Sequence, residues 1–165
     1  MALFLHVAII LLYPLGYKNE ILHASNIHDM DAVLIASIIN AESSFDATAV
    51  SKKGAVGLMQ ILPSTAEWVA NKIGIEFTPD ILKNPQTNIL IGTFYMRYLL
   101  DKFGDVRTAL IAYNAGPGKV QQWLAMPEFT RTQNNHTVLI SSPYPVTNRY
   151  VEKVLNGKRW YRHRI

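Results

Sequence analysis

AVLIASIINA, residues 32–41, is the stretch on which the fold turns. It carries no charge and has no polar face, so a helix formed by it belongs in the middle of a core. Asp29 and Asp31, just upstream, are candidate N-caps, and the helix ends at Glu42-Ser43-Ser44. Working outward, Tyr17 to Ser25 reads as one short helix and Asn26 to Asp31 as a turn. Downstream, Ser64-Thr-Ala-Glu67 has the form of a capping box, predicting a helix over Thr65–Ile73 closed by Gly74. Asn84-Pro85 supplies a cap and a first-turn proline for a helix running to Phe103, where Gly104 takes the C-terminal glycine position. Asp105 opens a further helix that ends near Tyr113. Gly116-Pro117-Gly118 interrupts the chain, and Lys119 to Ala125 resumes as helix. Met126 to Pro145 reads as a long irregular segment with a strand signal only at Thr137–Ile140; a loop of that length in a small domain usually works for its place. Thr147 is a candidate cap for a last helix over Asn148–Leu155. The expected fold class is all-α, or α-dominated.

The chain has 165 residues, 49% of them hydrophobic, enough for one domain with a sizeable core. It has no cysteine, which excludes disulfides and cysteine-based metal sites. A formal charge of +4 suits an anionic partner, although a solvated basic surface gives the same number. Lys153, Lys158, Arg159, Arg162 and Arg164 crowd the C-terminal end against Glu152 alone, as a tail that touches an anionic polymer or as a solvated end. At the other end, Ala2 to Tyr13 (ALFLHVAIILLY) is apolar apart from His6. That is short for a spanning helix and suits a signal-peptide core. We expect residues 1–16 to be an export signal or membrane anchor, and residues 17–165 the working domain with its basic tail.

Glu42 is the first residue that could carry chemistry. It follows ten core-bound residues, and burial of a carboxyl favours its neutral form, which a general acid needs. A glutamate at a helix end more commonly points into water. Gly54-Ala-Val-Gly57-Leu-Met-Gln60-Ile-Leu-Pro63 adds glycines that permit close backbone approach, and a glutamine suited to sugar hydroxyls or an acetamido group. Ala112-Tyr113-Asn114-Ala-Gly116-Pro-Gly118 repeats the theme: a helix end bearing a Tyr and an Asn, then a turn.

Glu42-Ser43-Ser44-Phe45, Ser51, Gly54-Ala-Val-Gly57-Leu-Met-Gln60, Pro63-x-Thr65-Ala66 and Ala112-Tyr-Asn-Ala-Gly-Pro-Gly118, in that order and spacing, resemble the soluble lytic transglycosylase domain, the glycoside hydrolase family 23 group related to goose-type lysozyme. The resemblance covers roughly Tyr13 to Leu155. It implies a lysozyme-like helical domain with a substrate cleft, and cleavage of the β-1,4 bond between N-acetylmuramic acid and N-acetylglucosamine in peptidoglycan. It puts the catalytic acid/base at Glu42 and sugar contacts at Ser51 and Gln60. Tyr113 and Asn114 fall in the third motif of the family, and Tyr150 matches the tyrosine of its C-terminal E-T-R-x-Y-V block. There the chain reads Val146-Thr-Asn148-Arg-Tyr150-Val151, with valine for the usual glutamate and asparagine for the usual arginine.

Most glycosidases use two carboxylates. Asp46 is the nearest second candidate, and capping a turn is its expected job. A lone acid fits a reaction that needs no activated water, and the resemblance implies which one: internal attack by the muramic C6 hydroxyl, closing a 1,6-anhydro ring. Leu58, Met59 and Leu62 around Gln60 are the expected walls that keep water out. A lysozyme-type hydrolase and a non-catalytic wall-binding module are the alternatives. His6, His23, His28, His136 and His163 show no ligand spacing, and there is no phosphate-cradling glycine loop. We therefore expect no metal or cofactor and no nucleic-acid partner. The expected partners are peptidoglycan glycan strands, with anionic wall polymers or a membrane surface in addition. The chain is expected to act outside the cytoplasm, as a monomer.

Overall fold

Asp31 accepts a hydrogen bond from the Val33 amide at 2.9 Å and starts the helix over Ala32–Ser43. Leu34 to Asn40 are all buried within it, as their composition demands. The protein is seen here as a computed structural model that describes residues 12–165. The apolar segment read as a leader lies outside the described residues except for its last positions. Among the described residues there are seven α-helices and one two-stranded hairpin, the helical class expected. They are α1 (Lys18–His28), α2 (Ala32–Ser43), α3 (Pro63–Ile73), α4 (Pro85–Phe103), α5 (Val106–Ala115), α6 (Pro117–Trp123) and α7 (Pro145–Tyr161), with β1 (Thr130–Gln133) and β2 (His136–Leu139) between α6 and α7. No described helix is long and apolar enough to cross a membrane.

The chain forms two units. The first takes residues up to Phe94 together with Val154–Ile165. Its core is built from Ile21 of α1, Ile35, Ile38 and Ile39 of α2, Val69 of α3, Ile89 and Ile91 of α4, and Val154 and Tyr161 of α7. Each such side chain contributes about 1.5–3 kcal/mol by leaving water. Where α2 meets α7, Ser37 Oγ donates to the Val154 carbonyl at 2.6 Å. A Cβ on Gly157 would come closer than 3.0 Å to that same oxygen.

The end of α7 also ties down the start of the described chain. Tyr161, fully buried, donates its hydroxyl to Pro14 O at 3.1 Å, and Arg164 donates to Tyr13 O at 2.6 Å. The Tyr13 ring stacks on Trp160 at 5.2 Å. Tyr13 and Pro14, read from sequence as the end of a leader, are thus packed into this unit.

His28 closes α1 half-buried, its ring edge-on to Phe94 at 5.5 Å. Burial holds its pKa below the ordinary histidine value, with a hydrogen bond to the Leu90 backbone opposing. The unfolded chain therefore takes up this proton at a higher pH than the folded one. The His28 contribution to stability is present above pH about 6.5 and is lost as pH falls from there through the folded value. The Tm should fall between pH 7 and 5, and a His28→Phe variant should lose part of that slope. An unchanged slope in the variant would remove His28 from the acid response.

The second unit is Tyr95–Lys153. Met96 and Leu99 of α4, Ala109 to Ala112 of α5, Val120 and Trp123 of α6, Val138 and Leu139 of β2, and Val151 of α7 form its core. The segment read as irregular holds the hairpin. β1 and β2 pair antiparallel with Gln133 opposite His136. Asn134 and Asn135 turn between them, both at positive φ (48° and 62°), the backbone of a two-residue I′ hairpin loop.

Three local expectations give way. α3 begins at Pro63, and no side chain caps it; a proline in the first turn supersedes the Ser64/Glu67 box. α1 runs three residues beyond Ser25, to His28. α7 starts at Pro145 and continues to Tyr161. Thr147 lies inside that helix, its hydroxyl donated to Asn114 and not to a helix end.

Candidate active site

The first unit holds Glu42, Ser51, Gln60 and Leu62. Glu42 sits half-buried in the last turn of α2. The chain then makes two successive left-handed residues, Ser44 (φ 53°) and Phe45 (φ 67°). Non-glycine residues enter that region at a cost, and stay there only when the surroundings fix them. The Phe45 ring lies 6.1 Å from the Tyr161 ring, centre to centre. Ser43 next to Glu42 donates its hydroxyl to Leu58 O at 2.9 Å and so ties the helix end to the glycine-rich loop. Asp46 caps the following turn, accepting from Thr48 N at 2.8 Å and Thr48 Oγ1 at 2.7 Å. Those hydrogen bonds hold its exposed carboxyl below its ordinary pKa.

The loop from residue 49 to 61 folds on itself. Val56 bridges Val50 on one side and Ile61 on the other. Gly57 has φ 80° and its amide donates to Ala49 O at 2.9 Å. A Cβ there would collide with Leu82 O and the Asn88 amide, so the position needs glycine for backbone angle and for space. Asn88, buried on α4, clamps the loop: its Oδ1 accepts from Met59 N at 2.8 Å, and its Nδ2 donates to Val56 O and Leu82 O, each at 2.9 Å.

This folding assigns directions to the expected polar contacts. Gln60 Nε2 donates to Ala49 O and Gly57 O, both at 3.0 Å. Two carbonyl partners fix which end of the amide is nitrogen, and leave Oε1 as the end that can meet a ligand, as an acceptor. Ser51 Oγ accepts from Lys53 N at 3.3 Å and Ala55 N at 3.0 Å, so its proton is what it can offer. Leu62 is 40% exposed, while Leu58 and Met59 are fully buried. Of the three residues expected to wall the site, only Leu62 reaches the surface. Met59 is turned inward against Gly92, where a Cβ would strike its sulfur, and accepts a contact from Thr93 Oγ1 at 3.9 Å.

The second unit holds Tyr113, Asn114 and Tyr150. Asp105 caps α5 by accepting from Thr108 N and Thr108 Oγ1, each at 2.8 Å. The helix then carries Tyr113 and Asn114 to its last turn. Gly116 (φ 94°) breaks the chain and Pro117 starts α6. Asn114 Oδ1 accepts from Thr147 Oγ1 at 2.8 Å, which joins the end of α5 to α7. The Tyr113 ring lies 5.5 Å from Tyr95. Tyr150, buried, follows Thr147 by about one turn of α7.

The departures from the family block also find places. Val146 is 65% exposed. Asn148 organises the corner before α7: its Oδ1 accepts from Ser142 N at 2.8 Å and Ser142 Oγ at 2.9 Å, and its Nδ2 donates to Ser142 O at 2.9 Å.

Sequence reasoning missed Asn88, and it named Ser43 and Thr147 without the contacts to Leu58 O and Asn114 Oδ1 that they make. No group of three or more His, Asp or Glu side chains able to hold a metal ion occurs among the described residues.

Comparison with known proteins adds to this geometry. Residues 20–136 match the family described as the transglycosylase SLT domain. The soluble lytic murein transglycosylase of Salmonella typhimurium is 35% identical over 155 residues, covering 92% of this chain and 24% of that protein. Its Escherichia coli K12 counterpart is 33% identical over the same span and shares. The transglycosylase of Enterobacteria phage PRD1 is 39% identical over 93 residues, 56% of this chain and 32% of that one. This chain thus spans about a quarter of the length of the bacterial relatives. Among solved structures, the 70-kDa soluble lytic transglycosylase of Escherichia coli superposes with a TM-score of 0.79 at 32% identity, over 92% of this chain and 25% of that one. An inactive mutant of the Pseudomonas aeruginosa lytic transglycosylase Slt, in which glutamine replaces a glutamate, gives a TM-score of 0.78 at 28% identity, over 92% and 25% of the two chains.

Proposed function

The chain belongs to the transglycosylase SLT domain family, and from that premise we propose that it is a lytic transglycosylase of peptidoglycan with Glu42 as its acid and base. It acts outside the cytoplasm, on the β-1,4 bond between N-acetylmuramic acid and N-acetylglucosamine. The observation that carries this reading is the placement of Glu42. It is half-buried in the last turn of a core helix, with Ser43 tying that turn to the loop of Ser51 and Gln60. The inactivity of the relative in which a glutamate became glutamine agrees with a glutamate at the centre of the chemistry.

In the proposed reaction Glu42 gives its proton to the glycosidic oxygen as the bond from the muramic C1 breaks. The neighbouring acetamido group stabilises the positive centre. The C6 hydroxyl of the same sugar then attacks C1, its proton passes to Glu42, and a 1,6-anhydro ring closes. No water is consumed and Glu42 ends as it began. Asp46 supports a single-carboxylate scheme, because Thr48 occupies it as a turn cap. The nucleophile is carried by the substrate, so its effective concentration is high once the sugar is seated. Ser51 as donor and Gln60 as acceptor suit a carbonyl and an N–H or O–H of the glycan, respectively.

Digestion of purified peptidoglycan in ¹⁸O-water tests the reading. Ring closure yields unlabelled anhydro-muropeptides, lighter by one water than hydrolysis products. A predominantly labelled, reducing product would make the protein a lysozyme-type hydrolase. No turnover by folded protein would make it a wall-binding module.

A further inference from the structure

The corner before α7 governs one side chain at the end of α5. Asn148 accepts from Ser142 N and Ser142 Oγ and donates back to Ser142 O, which fixes the chain as it enters the helix. Thr147 is the third residue of that helix. A threonine in a helix divides between two rotamers, because its hydroxyl can turn back to a carbonyl three or four residues earlier. The carbonyl three residues back, Tyr144 O, already accepts from Asn148 N at 3.1 Å and has Ser142 Oγ against it at 3.1 Å. Thr147, only 3% exposed, sends its proton across to α5 instead, where Asn114 Oδ1 accepts it at 2.8 Å.

The other end of the amide is then fixed as well. Asn114 is exposed, and with Oδ1 held by Thr147 the group it presents outward is Nδ2, which makes no hydrogen bond among the described residues. That nitrogen has two N–H donors and no acceptor. A link between two helices needs only the oxygen, and an aspartate would supply it. An amide free to flip offers a ligand either end, so locking it matters only toward a group that is acceptor alone or donor alone. A sugar hydroxyl is both, and either end of an amide serves it. The acceptor-only group on every N-acetylated sugar is the acetamido carbonyl.

We propose that Thr147 is a positioning residue, which locks Asn114 with Nδ2 outward to read the carbonyl oxygen of an N-acetyl group on the bound glycan. The assignment rests on the peptidoglycan reading above and adds to it the residue that sets the direction of one polar contact. Thr147 itself touches no sugar; it acts through Asn114.

The test is calorimetric titration of the full chain, in a Glu42→Gln background so that no ligand is cleaved. The ligands are the β-1,4-linked hexasaccharide of N-acetylglucosamine and the glucose hexasaccharide of the same linkage, with a hydroxyl at each C2 in place of the acetamido group. Thr147→Val keeps the shape and loses the hydroxyl, and Thr147→Ser keeps the hydroxyl. Asn114→Asp keeps the acceptor for Thr147 and loses the outward donors. Thr147→Val and Asn114→Asp should each bind the N-acetylglucosamine hexamer about five- to tenfold more weakly than the reference protein, the worth of one hydrogen bond. Thr147→Ser should bind it as the reference does. The glucose hexamer should bind the reference and Thr147→Val alike. Asn114→Asp should melt with the reference, because its bond to Thr147 is intact. A purely structural link gives another pattern: Asn114→Asp at full affinity, or Thr147→Val weakened equally toward both hexamers. Either result overturns the proposal. No preference of the reference protein for the N-acetylated hexamer overturns it alone, and failure to bind either hexamer overturns it together with the glycan reading on which it rests.

Discussion

Replacing Glu42 by glutamine is expected to lower turnover of peptidoglycan by at least about a hundredfold, the usual contribution of a general acid. The amide keeps the size and most of the hydrogen-bonding shape of the side chain and removes only the proton it can give. The fold should be untouched, since core burial in α2 comes from Leu34 to Asn40 upstream of it. Glycan affinity should remain close to that of the parent while kcat collapses, which separates lost chemistry from lost binding. The check is release of muropeptides from sacculi alongside a melting curve and a binding isotherm. Near-normal turnover by a folded variant would move the acid elsewhere and sink the mechanism.

The second large effect is expected at a residue outside the chemistry. Asn88→Ala should destabilise the protein by about 3 kcal/mol, because a buried polar group left without its partner costs about 1–3 kcal/mol. The Met59 amide and the Leu82 carbonyl lose the bonds Asn88 gave them. The Val56 carbonyl is less exposed to this loss, since it also accepts from Ile61 N at 3.1 Å. The loop of Ser51 and Gln60 loses its clamp on α4, so activity should fall at temperatures where the variant is still folded. Denaturant unfolding measures the first part and initial rates well below the midpoint measure the second. A change under 1 kcal/mol with full activity would show that the loop holds itself.

The two predictions mark what the sequence could and could not disclose. Asn84-Pro85 and Gly104 gave the bounds of α4 because caps, prolines and glycines act over a few residues. Asp31 and Asp105 were legible for the same reason. Asn88 was not: one asparagine inside a helix looks like a weak helix former until the loop it holds is seen beside it. Leu58 and Met59 look the same as Leu62 on paper, and only the self-pairing of residues 49–61 decides which of them faces out. The hairpin was hidden because Thr130–Gln133 and His136–Leu139 lack apolar alternation; the pair Asn134-Asn135, both able to adopt left-handed backbone, was the signal available. The length of α7 was hidden because its last turns are basic, and basic residues read as tail. Their stripe includes Trp160 and Tyr161, and it is Tyr161 that packs.

The crossing of α2 and α7 has a consequence for how such a sequence can drift. Ser37 fills the space that the missing side chain of Gly157 leaves, and bonds to the carbonyl three residues before it. A methyl at position 157 has room only if position 37 surrenders its hydroxyl, and a larger residue at 37 has room only where 157 stays bare. The two sites, 120 positions apart in the chain, therefore behave as one inherited unit, with a strongly non-additive double-mutant cycle. Variation that samples them separately meets a barrier on both routes, while a paired exchange passes between compatible solutions.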